Sequence, residues 1–236
     1  MSVLTASARG EARSRAYQLF ALVFTHPESA LHVLLVDGSY RRALTDSIVG
    51  LYGQAEPFAE PPAAFVDYES DYIGLFATGR GGHPVVPLNA GEYERLRLGR
   101  SRAEQMLEYL RCYRHFGLQL DTEAGANELP DHLSCQLEFM AWLAYLEAGA
   151  RTTELEAGYQ RAQRDFATRL TLPLLGEMEG RLESMRDAPA FFADVLRFLA
   201  SVVAETIEEL SGLDEPAGDV SVPRAGKMAT EIASWE

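Results

Sequence analysis

The sequence predicts an all-α protein, a single-domain helical bundle of about seven or more helices. Apolar residues recur at intervals of three and four along most of the chain, and period-two alternation is scarce. Clusters of Gly and Pro divide the 236 residues into helix-length pieces. Helices are expected over about 9–25, 28–51, 61–77, 92–116, 130–149, 151–176 and 189–212.

The first helix has a basic flank. Arg9, Arg13 and Arg15 precede the apolar run from Tyr17 to Phe24, an arrangement that faintly imitates a secretion signal. Glu11 interrupts the basic stretch, no Arg-Arg pair is present, and Thr25-His26-Pro27 stands where a small-residue cleavage site belongs. The segment is therefore expected to be the first helix of a cytoplasmic protein. In the fourth helix the spacing puts Ala103, Met106, Leu107, Leu110 and Tyr113 inside, with Arg102, Glu104 and Glu108 outside. Pro130 suits the first position of the fifth helix, where its missing N–H removes nothing. Asp131 would then meet the free N–H groups and positive dipole end, with Leu133, Leu137, Met140, Ala141 and Ala144 facing the core. Phe192, Val195, Leu196, Leu199, Val202, Val203 and Leu210, widened by Phe191 and Phe198, make the last helix a central one.

Residues 54–62, 78–91 and 121–127 read as connections, and the Gly- and Pro-rich stretch 78–91 as a functional loop or hinge. The helical domain is expected over residues 1–213, with 214–236 a loosely held tail. There is no internal repeat.

Composition narrows the function. No apolar run approaches the roughly 20 residues that cross a bilayer. A formal net charge of −14 argues against nucleic acid and anionic membranes. It favours a basic partner such as an Arg-rich peptide, or serves solubility alone. Cys112 and Cys135 make no disulfide framework and read as buried thiols. Glu28 with His32, and Glu128 with His132, share i, i+4 spacing, but di-iron bundles use Glu-x-x-His with further inward Glu residues, and the His-Glu-x-x-His zinc motif is absent. Gly79-Arg80-Gly81-Gly82 lacks the Gly-Lys-Ser/Thr ending of a phosphate loop. Ser134 and Cys135 follow His132 too directly to form a dyad. The chain is read as a non-enzyme, without metal or cofactor.

Glu128-Leu129-Pro130-Asp131-His132-Leu133, followed by Leu137-Glu138-Phe139-Met140, resembles the signature of the TorD/DmsD/NarJ-type chaperones. Tyr17, Leu19, Phe20 and Phe24 agree, as do residues 68–76 and Val86-Pro87-Leu88-Asn89-Ala90-Gly91-Glu92-Tyr93. The resemblance implies an all-helical cytoplasmic protein. It implies binding to the apo form of a molybdopterin-containing catalytic subunit of a DMSO-reductase-type oxidoreductase, through its twin-arginine leader, its mature body, or both. The client would be held until its molybdenum cofactor is inserted. The branch resembled serves nitrate, selenate, chlorate, dimethyl sulfide or ethylbenzene oxidoreductases. Several members carry Glu-Pro-x-Asp-His where this chain has Pro130 directly before Asp131, and an aromatic where it has Asn89.

The implied client- or leader-binding residues are Tyr72, Leu75, Phe76, Pro87, Glu128, Pro130, Asp131 and His132. Tyr72, Leu75 and Phe76, at i, i+3 and i+4, form one helix stripe that is either core or the lining of an apolar groove for a short leader helix. Asp131 would accept charge-assisted hydrogen bonds from a bound chain, with His132 a pH-sensitive neighbour. The alternatives are a non-catalytic structural subunit that stays in an oxidoreductase complex, and a small-molecule-binding regulator. The protein is expected to be a monomer or dimer.

Overall fold

A computed structural model describes residues 5–53, 55, 57–78, 82–118 and 128–212. The expected tail 214–236 and polar loop 121–127 lie outside the described residues, as do 79–81 of the hinge loop. The described chain is helical throughout, as the patterning predicts, with ten α-helices. They are α1 Ala6–Val23, α2 Ser29–Val36, α3 Ser39–Tyr52, α4 Phe65–Tyr72, α5 Glu94–Arg97, α6 Arg102–His115, α7 Leu133–Ala148, α8 Thr153–Phe166, α9 Leu172–Glu183 and α10 Ala190–Ser211.

Four expected helices have different limits, each for a local reason. The helix expected over 28–51 divides into α2 and α3 because Gly38 adopts φ +76°, and the Asp37 carboxylate accepts the Ser39 N–H at 2.7 Å. The helix expected over 92–116 becomes a 3₁₀ turn Ala90–Glu92, the single turn α5, and α6. Leu98 at φ +52° and Gly99 at φ +80° break it, and a reciprocal Ser101–Glu104 capping box restarts it. Conversely, α8 runs on through a π-helical turn, Ala167–Thr171, into α9. Another π turn, Ile73–Ala77, extends α4.

The inner face of α6 also departs from the sequence reading. Gln105, Tyr109 and Tyr113 are buried, whereas Ala103 and Leu107 are exposed. A tyrosine ring buries more apolar surface than a leucine provided its hydroxyl finds a partner, and the Tyr113 hydroxyl donates to the Pro130 carbonyl at 2.7 Å. The last helix matches its reading: every residue assigned to its apolar stripe is buried.

Helices α1 and α7 pack antiparallel at the centre of the bundle. Ser7 and Gly10, near the start of α1, meet Ala148 and Ala144, near the end of α7. A Cβ at Gly10 would lie 2.9 Å from the Ala144 carbonyl oxygen, so glycine sets this spacing. Helices α3 and α8 flank the pair, and α10 closes the bundle against α8 and α9.

One element of the signal-like N-terminus has a structural role. The Arg13 and Glu147 side chains are 1% and 2% exposed and lie 2.6 Å apart. Arg13 also reaches Glu209 at 3.1 Å, and Gln160 and Gln163 donate to Glu147 at 2.9 and 2.7 Å. Burial alone would lower the Arg13 pKa, but the fields of Glu147 and Glu209 outweigh it and leave it raised. Thr206 accepts from the Tyr17 hydroxyl at 3.0 Å and lies 2.8 Å from that of Tyr52. Five helices thus meet at one polar cluster.

Removing one partner of a buried ion pair strands the other charge. Arg13→Ala is expected to cost about 3–5 kcal/mol in chemical denaturation. The double variant Arg13→Met/Glu147→Leu should recover most of that loss. Equal losses in both variants would show that packing, not charge, dominates at Arg13.

Candidate functional site

The motif residues gather where a strap, residues 85–93, crosses the end of α4 and the start of α7. The widened π turn leaves the Leu75 carbonyl free to accept the Val86 N–H at 2.8 Å. Further along, Leu133 N–H donates to the Leu88 carbonyl at 2.9 Å, and Ala90 N–H to the Asp131 carbonyl at 3.2 Å. Asn89 and His132 form an isolated antiparallel bridge between them. The Tyr93 hydroxyl closes the strap on the Pro87 carbonyl at 2.9 Å. Arg181 of α9 donates to the Val85 carbonyl at 3.1 Å and lies over the Tyr93 ring at 4.4 Å. Val86, Pro87, Leu88, Ala90 and Tyr93 are all buried under this stitching.

Asp131 is the clasp. It is 1% exposed, and one carboxylate oxygen accepts the Gly91 N–H at 2.7 Å while the other accepts the Asn89 side-chain amide at 3.1 Å. Its backbone carbonyl accepts from Gln136 at 3.0 Å as well. A Cβ on Gly91 would stand 2.9 Å from the Asp131 carboxylate and 3.2 Å from Arg102 Nε, so only glycine fits this approach without displacement.

This geometry corrects the expected helix start. Pro130 is not the first helical residue; it occupies the second position of a turn closed by His132 N–H to the Leu129 carbonyl at 2.9 Å. Helix α7 begins at Leu133 with His132 as its N-cap, whose Nδ1 accepts the Ser134 N–H at 3.3 Å. The strap claims the Asp131 carboxylate, so a ring nitrogen caps the helix instead. Nor is His132 a proton switch at physiological pH. Burial lowers its pKa to about 4, against the pull of Glu128 and Asp131, so the imidazole is neutral.

Tyr72, Leu75 and Phe76 are 5%, 1% and 6% exposed. The Phe76 ring meets Phe192 at 5.3 Å, Tyr72 at 5.2 Å and Phe24 at 6.0 Å, all edge-on. In this arrangement they are core, roofed by the strap. Of the motif's charged residues, Asp131 and His132 are buried, Glu138 is exposed, and Glu128 is half-buried beside Tyr72, His132 and Glu138. Partial burial, then repulsion from Glu128, raises the Glu138 pKa. Among the described residues neither carboxylate has an ion-pair partner.

Sequence reasoning quoted Gly91 in the resemblance without giving it a role, and placed no weight on Gln136 or Arg181. A glycine just before a short acidic turn could have signalled the first; nothing local marks Arg181, a residue of a distant helix. A second feature it missed is an open cleft of about 240 Å³ between α6, α7 and α8, lined by Cys112, Phe116, Phe139, Ala162, Phe166 and Leu170. Among the described residues no cluster of His, Cys, Asp and Glu could hold a metal ion, and no helix is long and apolar enough to cross a membrane.

Two outcomes follow from the clasp. Asp131→Ala strands the buried Gly91 donor and should destabilise the protein by about 1–3 kcal/mol, with faster proteolysis within residues 85–93; Gly91→Ala should behave alike. Unchanged proteolysis would deny the clasp its role. His132 has a depressed folded pKa, so the unfolded chain takes up a proton first, and stability is lost as pH falls from 6.5 toward 4. His132→Asn keeps an N-cap and should flatten melting temperature over that window; an unchanged slope would assign the acid sensitivity elsewhere.

Comparison with known proteins joins the motif to a family. A family model described as nitrate reductase delta subunit matches residues 41–179. The dimethyl sulfide dehydrogenase assembly chaperone of Rhodovulum sulfidophilum is 40% identical over 186 residues, 78% of this chain and 74% of that protein. The perchlorate reductase assembly chaperone of Dechloromonas aromatica (strain RCB) is 33% identical over 213 residues, 84% of this chain and 90% of its own. The selenate reductase assembly chaperone of Thauera selenatis is 32% identical, covering 79% and 84%. No solved structure matches. These relatives are named as chaperones and not as enzymes, which sets aside the alternative of a retained structural subunit. A shared family model, long stretches of identity and an all-helical chain together place this protein in the nitrate reductase delta subunit family of assembly chaperones.

Proposed function

We propose that this chain is the dedicated assembly chaperone of a molybdenum-containing oxidoreductase. It binds the apo catalytic subunit reversibly in the cytoplasm and holds it until the molybdopterin cofactor is inserted and export can proceed. The observation that carries this reading is the kinship to three chaperones named for enzymes acting on dimethyl sulfide, perchlorate and selenate.

Within that reading, Glu128 and Glu138 supply the seat for a twin-arginine leader. Two unpaired carboxylates repelling each other at the edge of a buried motif make a site that gains from a guanidinium. Tyr72, Leu75, Phe76, Pro87, Pro130, Asp131 and His132 form the packed base beneath it, so they act on the client by holding the seat in place. A leader helix that reaches the apolar residues must first lift the strap.

Calorimetric titration with a synthetic leader peptide tests this. Glu128→Gln and Glu138→Gln should each weaken binding about two- to fivefold, the scale of an exposed charge pair, and raising salt should weaken the wild-type interaction. Affinity independent of salt and of both carboxylates would remove the leader seat. In cells, deletion of the protein should leave the client made but lacking molybdenum; a fully loaded client would end the chaperone reading.

A further inference from the structure

The cleft between α6, α7 and α8 differs from the rest of the surface. Its floor is aromatic: Phe139 meets Phe166 at 4.7 Å edge-on and Phe116 at 5.9 Å. Leu170 and Arg169, on one wall, belong to the π turn Ala167–Thr171. Single π turns inside α-helices are rare and recur at functional sites. At about 240 Å³ the cleft falls below the roughly 300–1,000 Å³ of small-molecule pockets. It has room for one or two large side chains of another polypeptide.

The rim carries the sign of the partner. Glu108 and Asp165 are its carboxylates, and both are already engaged: Glu108 by Arg100 and by Arg169 at 2.7 Å, Asp165 by Arg164 at 2.9 Å. Arg111 lies three residues after Glu108 and four before His115, both of which line the cleft. Arg161 lies four residues before Asp165. Helical spacing sets Arg111 and Arg161 on the same edges as those residues. Among the described residues Arg111 and Arg161 have no ion-pair partner. Arg169 in the lining, with Arg111 and Arg161 one helical turn from lining residues, makes a cationic collar beside an apolar floor on a chain whose net charge is −14.

We propose that this cleft docks an acidic amphipathic segment from the mature part of the apo catalytic subunit. One large apolar side chain sits on Phe116, Phe139 and Phe166, and flanking carboxylates meet Arg111 and Arg161. The proposal rests on the chaperone reading above. A twin-arginine leader has the wrong charge for this collar, which directs the cleft to the body of the client.

The probe is the apo catalytic subunit without its leader, purified from cells unable to make the molybdenum cofactor. Arg111→Glu/Arg161→Glu reverses the collar at the surface, and Ala162→Phe fills the cleft. Both variants should keep the wild-type melting curve and leader affinity, and each should bind the leaderless subunit at least about tenfold more weakly. Wild-type affinity in the charge-reversal variant overturns the proposal, whether or not Ala162→Phe folds. A change from dimer to monomer on charge reversal, seen by sedimentation, would assign the cleft to a second copy of this chain and also overturn it. If the wild type binds the full-length apo subunit but not the leaderless one, this cleft fails and the chaperone reading stands. Binding to neither fails both.

Discussion

A carboxylate taken out of water must have its oxygens met, and at Asp131 that requirement organises everything around it. Gly91 N–H and the Asn89 amide satisfy the two oxygens, which binds the strap to the turn before α7. With the strap in place, the Val86, Leu88 and Tyr93 side chains seal the core over Leu75 and Phe76. The same bond determines where α7 starts, because a carboxylate facing the strap cannot cap a helix, and His132 takes that role. One motif that reads as a helix entrance is thus a joint between two distant parts of the chain.

The Arg13 cluster imposes a different constraint. Hydrophobic packing alone would allow α1 to slide or rotate against α7, whereas Arg13 pairs with Glu147 and Glu209, and Gln163 with Glu147, in a single register. Such a pair adds little net stability compared with a well-packed apolar pair, but a mispacked bundle would strand a charge. With Gly10 allowing the closest approach, the two residues fix the central helix pair in both distance and rotation.

Charge is distributed unevenly over the finished protein. Acidic overall, it carries an unpaired carboxylate pair in the motif, and Arg111, Arg161 and Arg169 at the edge of the α6–α8 cleft. A chaperone that must hold an unfinished subunit at more than one point gains selectivity from such segregation, since a segment that suits one surface is repelled by the other. Both surfaces lie next to π turns, Ile73–Ala77 and Ala167–Thr171, where the regular helical ladder is relaxed.

The sequence by itself determined the helical class, the wide buried stripe of α10, and the family motif. These follow from apolar spacing and from contiguous residues, both local properties. The α7 residues it assigned to the core, Leu133, Leu137, Met140, Ala141 and Ala144, are all buried, and Phe139 and Leu143 join them. What only the tertiary structure decided is the use of polar groups. Arg13 resembled part of an export signal and is a core ion, because its partners lie on helices more than a hundred residues away. Asp131 resembled a helix cap and is a clasp, because its donors come from a strap some forty residues earlier in the chain. Tyr109 outranks Leu107 on the inner face of α6 for the same reason: hydropathy ranks a residue alone, while burial depends on which neighbour arrives to meet it.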